Sequence, residues 1–360
     1  MRKLPRIRAV RNGRPASSIS VAQRPNVGML VWPSRTTRLG EGSAAPSIRL
    51  AAEAARLVGV NLYFFSVRDV DPGTRRVQGW QQRPDGSWAK TTMPWPDVFH
   101  PAAELKSKQG QLVKAAMLQQ CLTINSHDVL GKWEVHRALE SFPEMQRYLP
   151  ETLLYSQPTD LETMLDLHRT VLAKLGYGLG AINISKVWRL ESGQYGWEDS
   201  SSGTRLMHLS FSEMLGKVME NANGPFVVQQ ELGILERGGR RNKIRALMNK
   251  DGSGEWRQSL SYLFVGSPGQ FAVSRHQGAK QLPLTQGLRA MGIRGQLARR
   301  ISYQLNEAAT LTVKCLDGAL GPMGEIGLDL ALGNDGRVWL IERTHGLTKI
   351  CCPLDGGLRC

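Results

Sequence analysis

Apolar and polar positions along this chain change period several times, and each change marks an element. Residues 27–32 form a continuous apolar run, the mark of a buried strand. A Gly- and Ser-bearing loop is expected next, followed by a helix over residues 46–58. Its spacing puts Leu50, Ala54, Leu57 and Val58 on one face, with Pro46 in the first turn, where a missing N–H costs nothing. Residues 61–67 read as a second strand. Strand, helix and strand over about 40 residues make a βαβ unit, normally parallel and right-handed. Residues 71–96 predict a meander or loop leading into Pro96, Asp97, Val98 and Phe99.

A helical middle follows. Asp128 is a candidate N-cap, and Lys132, Trp133, Val135, Ala138, Leu139 and Phe142 carry the next helix. That section stops at Leu149-Pro150, because a residue before proline is pushed out of helical geometry. Residues 160–172 predict an amphipathic helix, with Val171 to Lys174 entering a strand. Beyond lie apolar runs at 226–232 and 243–248, a turn at 249–255 and a strand at 256–265. Residues 286–316 are expected to be mostly helical through Leu288, Met291, Ile293, Leu297, Ile301 and Leu305. Gly292 and Gly295 weaken its first turns by about 1 kcal/mol each.

The last pattern is the most informative. Ile326, Leu328, Leu330 and Leu332 alternate with other residues, Asn334-Asp335-Gly336-Arg337 is a turn signal, and residues 338–341 read as a returning strand. A two-residue loop at Asp335-Gly336 would pair Asn334 with Arg337 and, counting outward, set Asp329 opposite Glu342. Opposed residues share one face of a sheet, with Cβ atoms about 5 Å apart. Two facing carboxylates repel unless a cation or a shared proton lies between them. Two readings follow: acids pointing into water from a half-exposed hairpin, or a pair of hard oxygen ligands of the kind Mg²⁺ takes.

Composition narrows the class. In 360 residues, 41% hydrophobic and 21% charged content is that of a soluble globular protein, and no apolar run reaches the length of a membrane span. No apolar signal segment is visible at the start. Five cysteines without framework spacing fit a reducing compartment. Cys351, Cys352 and Cys360 lie near His345, but adjacent cysteines lack zinc-finger spacing. The net charge of +15 is concentrated at the front, where Arg2, Lys3, Arg6, Arg8, Arg11, Arg14 and Arg24 precede the first acid, Glu41. This start reads as a solvated basic arm, and a transit segment or a surface-binding arm would have the same composition. Nucleic acid is not the expected partner, since only charge supports it and no finger, helix-turn-helix or RRM motif is visible.

Several pieces now fall in one order: Asn26-Val27-Gly28-Met29-Leu30, Pro96-Asp97-Val98, Gly131-Lys132-Trp133-Glu134-Val135-His136, Tyr148-Leu149-Pro150-Glu151-Thr152, Val228-Gln229-Gln230, Asp251-Gly252-Ser253-Gly254-Glu255-Trp256 and the hairpin. Together they resemble the YheC/YheD-type endospore coat-associated proteins, a family with the ATP-grasp fold. The resemblance implies an α+β architecture in which two α+β subdomains clasp a nucleotide, preceded by a small α/β (βαβ) domain. The expected divisions are a flexible basic tail at 1–25, an N-terminal α/β domain at 26–110, an ATP-grasp domain at 111–345 and a divergent Cys-rich tail at 346–360. It implies ATP and Mg²⁺ as cofactors, Lys132 and Lys174 beside the phosphates, and Gln229, Gln230, Glu231 and Leu232 at the adenine hinge, with Glu231 reaching the ribose. Arg245 would face the terminal phosphate, and Asp329 and Glu342 would hold the metal. Taken singly, each of these residues also reads as an ordinary surface or strand-end position.

Departures from the family pattern are as visible as the matches. Thr344 stands where an asparagine ligand is usual, and Lys243 where an aspartate is usual. Leu175-Gly176-Tyr177-Gly178-Leu179-Gly180 keeps glycines without the phosphate-loop pattern, and Ser274-Arg275-His276-Gln277-Gly278 replaces an Asn-to-Gly-Gly segment. After Arg343 the chain leaves the family pattern, as a reading-frame change would make it do. The expectation is an ATP- and Mg²⁺-binding protein, either a carboxylate–amine ligase with a degenerate site or an inactive structural protein of the spore coat. Its expected partners are nucleotide and other spore-coat proteins, and its expected place is the cytoplasm or the spore coat.

Overall fold

A computed structural model describes residues 24–103, 107–125, 130–177 and 181–344. The basic arm as far as residue 23, Asp128, Gly178 to Gly180, and the Cys-rich tail with His345 lie outside the described residues. Two compact units divide the chain between Thr123 and Ile124. The helix Lys108–Gln120 belongs to the first and runs across the expected division at residue 110. No helix among the described residues is long and apolar enough to cross a membrane.

In the first unit, Asn26–Leu30 pairs in parallel with Asn61–Phe65 on one side and Val98–Pro101 on the other, the arrangement a βαβ unit demands. Both faces of this sheet are covered, which is why the strands read as unbroken apolar runs. Leu30, Tyr63, Phe65 and Phe99 pack on one side, and Val31, Phe64 and Ile48 on the other. Arg76–Gln82 and Trp88–Pro94 form the expected meander.

Two readings of this unit need correction. The stretch after the first strand, expected as loop, contains a helix at Pro33–Gly40 started by its own proline. The helix Pro46–Val58 exists, but its buried face is Ile48, Ala52 and Ala55. Leu50, Ala54, Leu57 and Val58 face outward, with Leu57 82% exposed. Both sets have helical spacing and are offset by two residues, so periodicity alone does not choose between them. The small alanines let the helix lie close against Phe64.

The second unit contains two six-stranded, antiparallel sheets. In the first, Thr170–Leu175 lies between Ile184–Arg189 and Phe226–Gln230, and the helices Pro158–His168 and Phe211–Ala222 bury Leu161, Met164, Met214 and Val218 against it. The expected helix at 160–172 stops at His168, because Arg169 turns left-handed at φ +56° and Thr170 enters the sheet. The helix Phe211–Ala222 escaped the sequence reading, although Ser210 and Glu213 form the capping box that announces it.

In the second sheet, Arg240–Lys250 lies between Trp256–Val265 and Glu325–Leu332, and Val338–Thr344 forms one edge. Its core is roofed by Lys132–Glu140, Leu284–Ala290 and Gly295–Leu320. The N-cap of Lys132–Glu140 is Gly131, not Asp128. The helical stretch at 286–316 is two helices, broken where Gly292 and Gly295 take φ of +85° and +59°. Leu297, placed on its apolar face by spacing, is exposed, since it lies in the first turn beyond that break.

Candidate functional site

The hairpin brings the two carboxylates together by a route different from the expected one. Asp329 stands opposite Glu342, but Asn334 does not face Arg337 across a two-residue loop. Gly333 N–H donates to the Arg337 carbonyl at 2.8 Å, and Asn334, Asp335 and Gly336 make a three-residue turn with Gly336 at φ +79°. A three-residue loop ending in a left-handed residue is a common hairpin connection. It sets Leu330 opposite Leu340, and carried on unbroken it would set Asp329 opposite Ile341. A β-bulge leaves Ile341 as the extra residue and brings Glu342 opposite Asp329.

That bulge decides which way Glu342 points. Leu328, Leu330, Val338 and Leu340 enter the hydrophobic core, whereas Asp329 and Ala331 line a cleft on the other face. Strict alternation from Leu340 would send Glu342 into the core. With the bulge, Ile341 and Glu342 both line the cleft.

Asp329 is 1% exposed and bound by cations from the next strand. Arg245 lies directly opposite it, with Nε 2.5 Å from Oδ1 and Nη2 3.1 Å from Oδ2. Lys243 Nζ adds a contact of 3.3 Å to Oδ2. Burial alone would raise the pKa of Asp329, but Arg245 and then Lys243 outweigh it and hold the carboxyl well below its usual range. Burial likewise works against the Arg245 charge, and Asp329 more than compensates, so its pKa lies above the ordinary value. Arg241, Lys243 and Arg245 alternate with the core residues Ile244, Ala246 and Met248, so all three cations share the face opposite the core.

The lysines come from other elements. Lys132 opens its helix, its N–H bonded to the Gly176 carbonyl at 2.9 Å, and its Nζ lies 3.4 Å from Glu342. Lys174, on Thr170–Leu175, is buried and donates to the Gln229 side-chain carbonyl. Gln229 donates in turn to the Thr152 hydroxyl at 2.9 Å. Burial pushes the Lys174 ammonium down from 10.5 to about 8; Glu342 and Glu231 oppose this, and Lys132 and Lys243 reinforce it. At the hinge, the amides of Gln230 and Glu231 are taken by the carbonyls of Glu151 and Thr170. Glu231 is held by Arg241 at 2.6 Å.

These groups surround one cleft. Lys132, Lys174, Gln229, Gln230, Glu231, Leu232, Asp329 and Glu342 all line it, and Arg245 borders it through Asp329. Sequence reasoning missed the apolar wall of Leu172, Ile184, Ile234, Phe271 and Val273. It also missed Arg241 and gave Lys243 no role, although the period-two run Arg241, Lys243, Arg245 was a readable signal. The side chain of Thr344 lies outside what is described.

Residues 120–345 match the family described as YheC/D like ATP-grasp. The chain belongs to this family. It is 23% identical over 317 residues to the endospore coat-associated protein YheC of Bacillus subtilis, covering 81% of this chain and 82% of that one. To YheD of the same organism it is 22% identical over 292 residues, covering 78% of this chain and 63% of YheD. In fold it is similar to the D-alanyl-alanine synthetase A of Vibrio cholerae, with a TM-score of 0.54 and 11% identity over 91% of this chain and 90% of that chain. The architecture is therefore the ATP-grasp fold, α+β, preceded by a small α/β unit.

The Mg²⁺ expected at this site is not well served by the residues present. Both oxygens of Asp329 are engaged by Arg245 and Lys243, and Glu342 faces Lys132. A dication about 4 Å from an ammonium would be repelled by about 8 kcal/mol at an effective dielectric of 20. Two carboxylates matched by this many cations form an anion site more readily than a metal site.

Proposed function

We propose that this ATP-grasp protein binds a nucleoside triphosphate in the cleft of its second unit and works in association with the spore coat. The observation that carries the reading is the division of labour in one cavity. Lys132, Lys174 and Lys243 gather where polyanionic phosphates would lie, while Leu172, Ile184, Ile234 and Val273 offer an apolar wall for a flat base. Gln230 and Glu231 spend their amides inside the protein, so Leu232, just past the strand end, is the hinge residue best placed to meet the base edge. Glu231, oriented by Arg241, is the candidate for the ribose. The names of the relatives support the spore-coat association, with other coat proteins as partners.

If the site turns over, a substrate carboxylate oxygen attacks the γ-phosphorus, the bond to the β-phosphate oxygen breaks, and ADP leaves. An amine then displaces phosphate from the acyl phosphate. Retention of Lys132, Lys174 and Arg245 favours this ligase reading. The engagement of Asp329 by Lys243 and Arg245 favours an inactive, nucleotide-holding coat protein, and that is the reading adopted.

Thermal unfolding with and without ATP, beside a coupled assay for ADP, tests both. ATP at about a hundred times its Kd should stabilise by about 2.7 kcal/mol, a rise of several degrees in Tm. ADP should form no faster than in the protein-free control. No shift with ATP rejects the nucleotide reading, and sustained ADP production in the presence of an amine and a carboxylate replaces inactivity with ligation.

A further inference from the structure

We infer that Lys243 does in this cleft what a divalent cation would do, so that the site prefers the free nucleotide polyanion to its magnesium complex. The inference rests on the nucleotide reading above and concerns the form in which the nucleotide is held.

Lys243 is fixed from several directions. It sits on the central strand Arg240–Lys250, lines the cleft, contacts Asp329 Oδ2 at 3.3 Å, and lies 5.6 Å above the centre of the Phe264 ring. Its backbone neighbours on that face, Arg241 and Arg245, are each committed to a carboxylate: Arg241 to Glu231 and Glu236, and Arg245 to Asp329. Asp329 is thus already held at both oxygens by the Arg245 fork before Lys243 is counted.

The charges then do not balance. Among the described residues Lys243 and Arg245 share one carboxylate, Asp329, and Lys174 donates to the neutral Gln229, so at this end of the cleft these cations outnumber the carboxylate they touch and leave an excess of positive charge. Burial is the chief cause of the lowered Lys174 pKa; Lys132 and Lys243 add to it, against Glu342 and Glu231. A bare polyphosphate relieves that excess, whereas a dication adds to it. Free ATP carries about two more negative charges than its magnesium complex, so the local field favours the free form. An ammonium also supplies three donors directly to phosphate oxygens, the service a bridging metal gives in other nucleotide sites.

The test is calorimetric titration of ATP into the full-length protein, once with EDTA and once with excess MgCl₂, at matched ionic strength. The expected result is binding in EDTA at least as tight as in Mg²⁺. Binding about tenfold or more weaker in EDTA overturns the inference and leaves the nucleotide reading standing. Absence of binding in both buffers overturns the two together. Lys243→Gln, checked for an unchanged melting profile without ligand, should lose about tenfold in EDTA. Equal affinity in that variant overturns the inference. Lys243→Asp should reverse the preference: Mn²⁺, followed by its electron paramagnetic resonance signal, should bind the variant with ATP and not the parent protein. Equal Mn²⁺ binding by the two would also overturn it.

Discussion

Asp329 is where the site and the stability of the fold meet. Its carboxylate is shared by Arg245 and Lys243 beneath a surface that leaves it almost no solvent. Asp329→Asn removes the counter-charge while leaving the cations in place, and breaking a buried pair in this way costs about 3–5 kcal/mol, measurable by urea unfolding. The sign of its pH dependence follows from the lowered pKa. An acid whose folded pKa lies below its unfolded value contributes stability above the unfolded value and loses it as pH falls through the folded one. Below about pH 4 the parent protein should therefore lose stability from this pair, and the variant should show no such component. Lys174 runs the other way. With its folded pKa at about 8 against an ordinary 10.5, the unfolded chain binds more protons between those values, and stability from this group rises with pH across that window. A phosphate beside the ammonium would restore its charge, so ATP binding near pH 9 should take up a fraction of a proton. Calorimetry in buffers of different ionisation enthalpy reads that uptake, and Lys174→Met should abolish it. The residue types of the site were legible in the sequence, but their mutual engagement was not: Arg245 and Asp329 are 84 positions apart, and the sequence pattern named no pairing between their strands.

Among the elements, the C-terminal hairpin shows how a correct pairing can come from an incorrect turn. The sequence reading assumed one continuous register, while the protein uses a longer turn and compensates with the bulge at Ile341. Gly336 holds the left-handed corner at φ +79° with open space around its missing Cβ. Gly336→Ala should therefore cost only the backbone penalty, about 1–2 kcal/mol, seen as a lower midpoint with an unchanged denaturant slope. A larger loss would mean that the turn controls the register of the carboxylates. Helix faces were less legible than strands. Pro46–Val58 carries two apolar stripes of equal periodicity, and packing in the cluster that includes Val31, Leu39 and Phe64 selects the stripe of Ile48 and Ala52. Gly292 and Gly295 were recognised as weak points of a helix, yet that they break it into two follows from the left-handed φ each adopts.

On the scale of the whole molecule, every residue lining the cleft belongs to the unit that begins at Ile124. A fragment beginning there and keeping the rest of the chain should bind ATP within about threefold of the full protein, a difference below about 1 kcal/mol. A much larger loss would assign part of the site to the first unit. By itself the sequence determined the parallel βαβ start, the late β-rich half and the types of charged residue that gather at the cleft. Those features follow from local periodicity, turn chemistry and charge, which act over a few residues. Only the tertiary structure decided which stripe of a helix is buried, which face of the last strand carries Glu342, and that Lys243 and Arg245 close on Asp329 where a metal was expected. These depend on packing and electrostatics between strands far apart in the chain, and no local pattern encodes them.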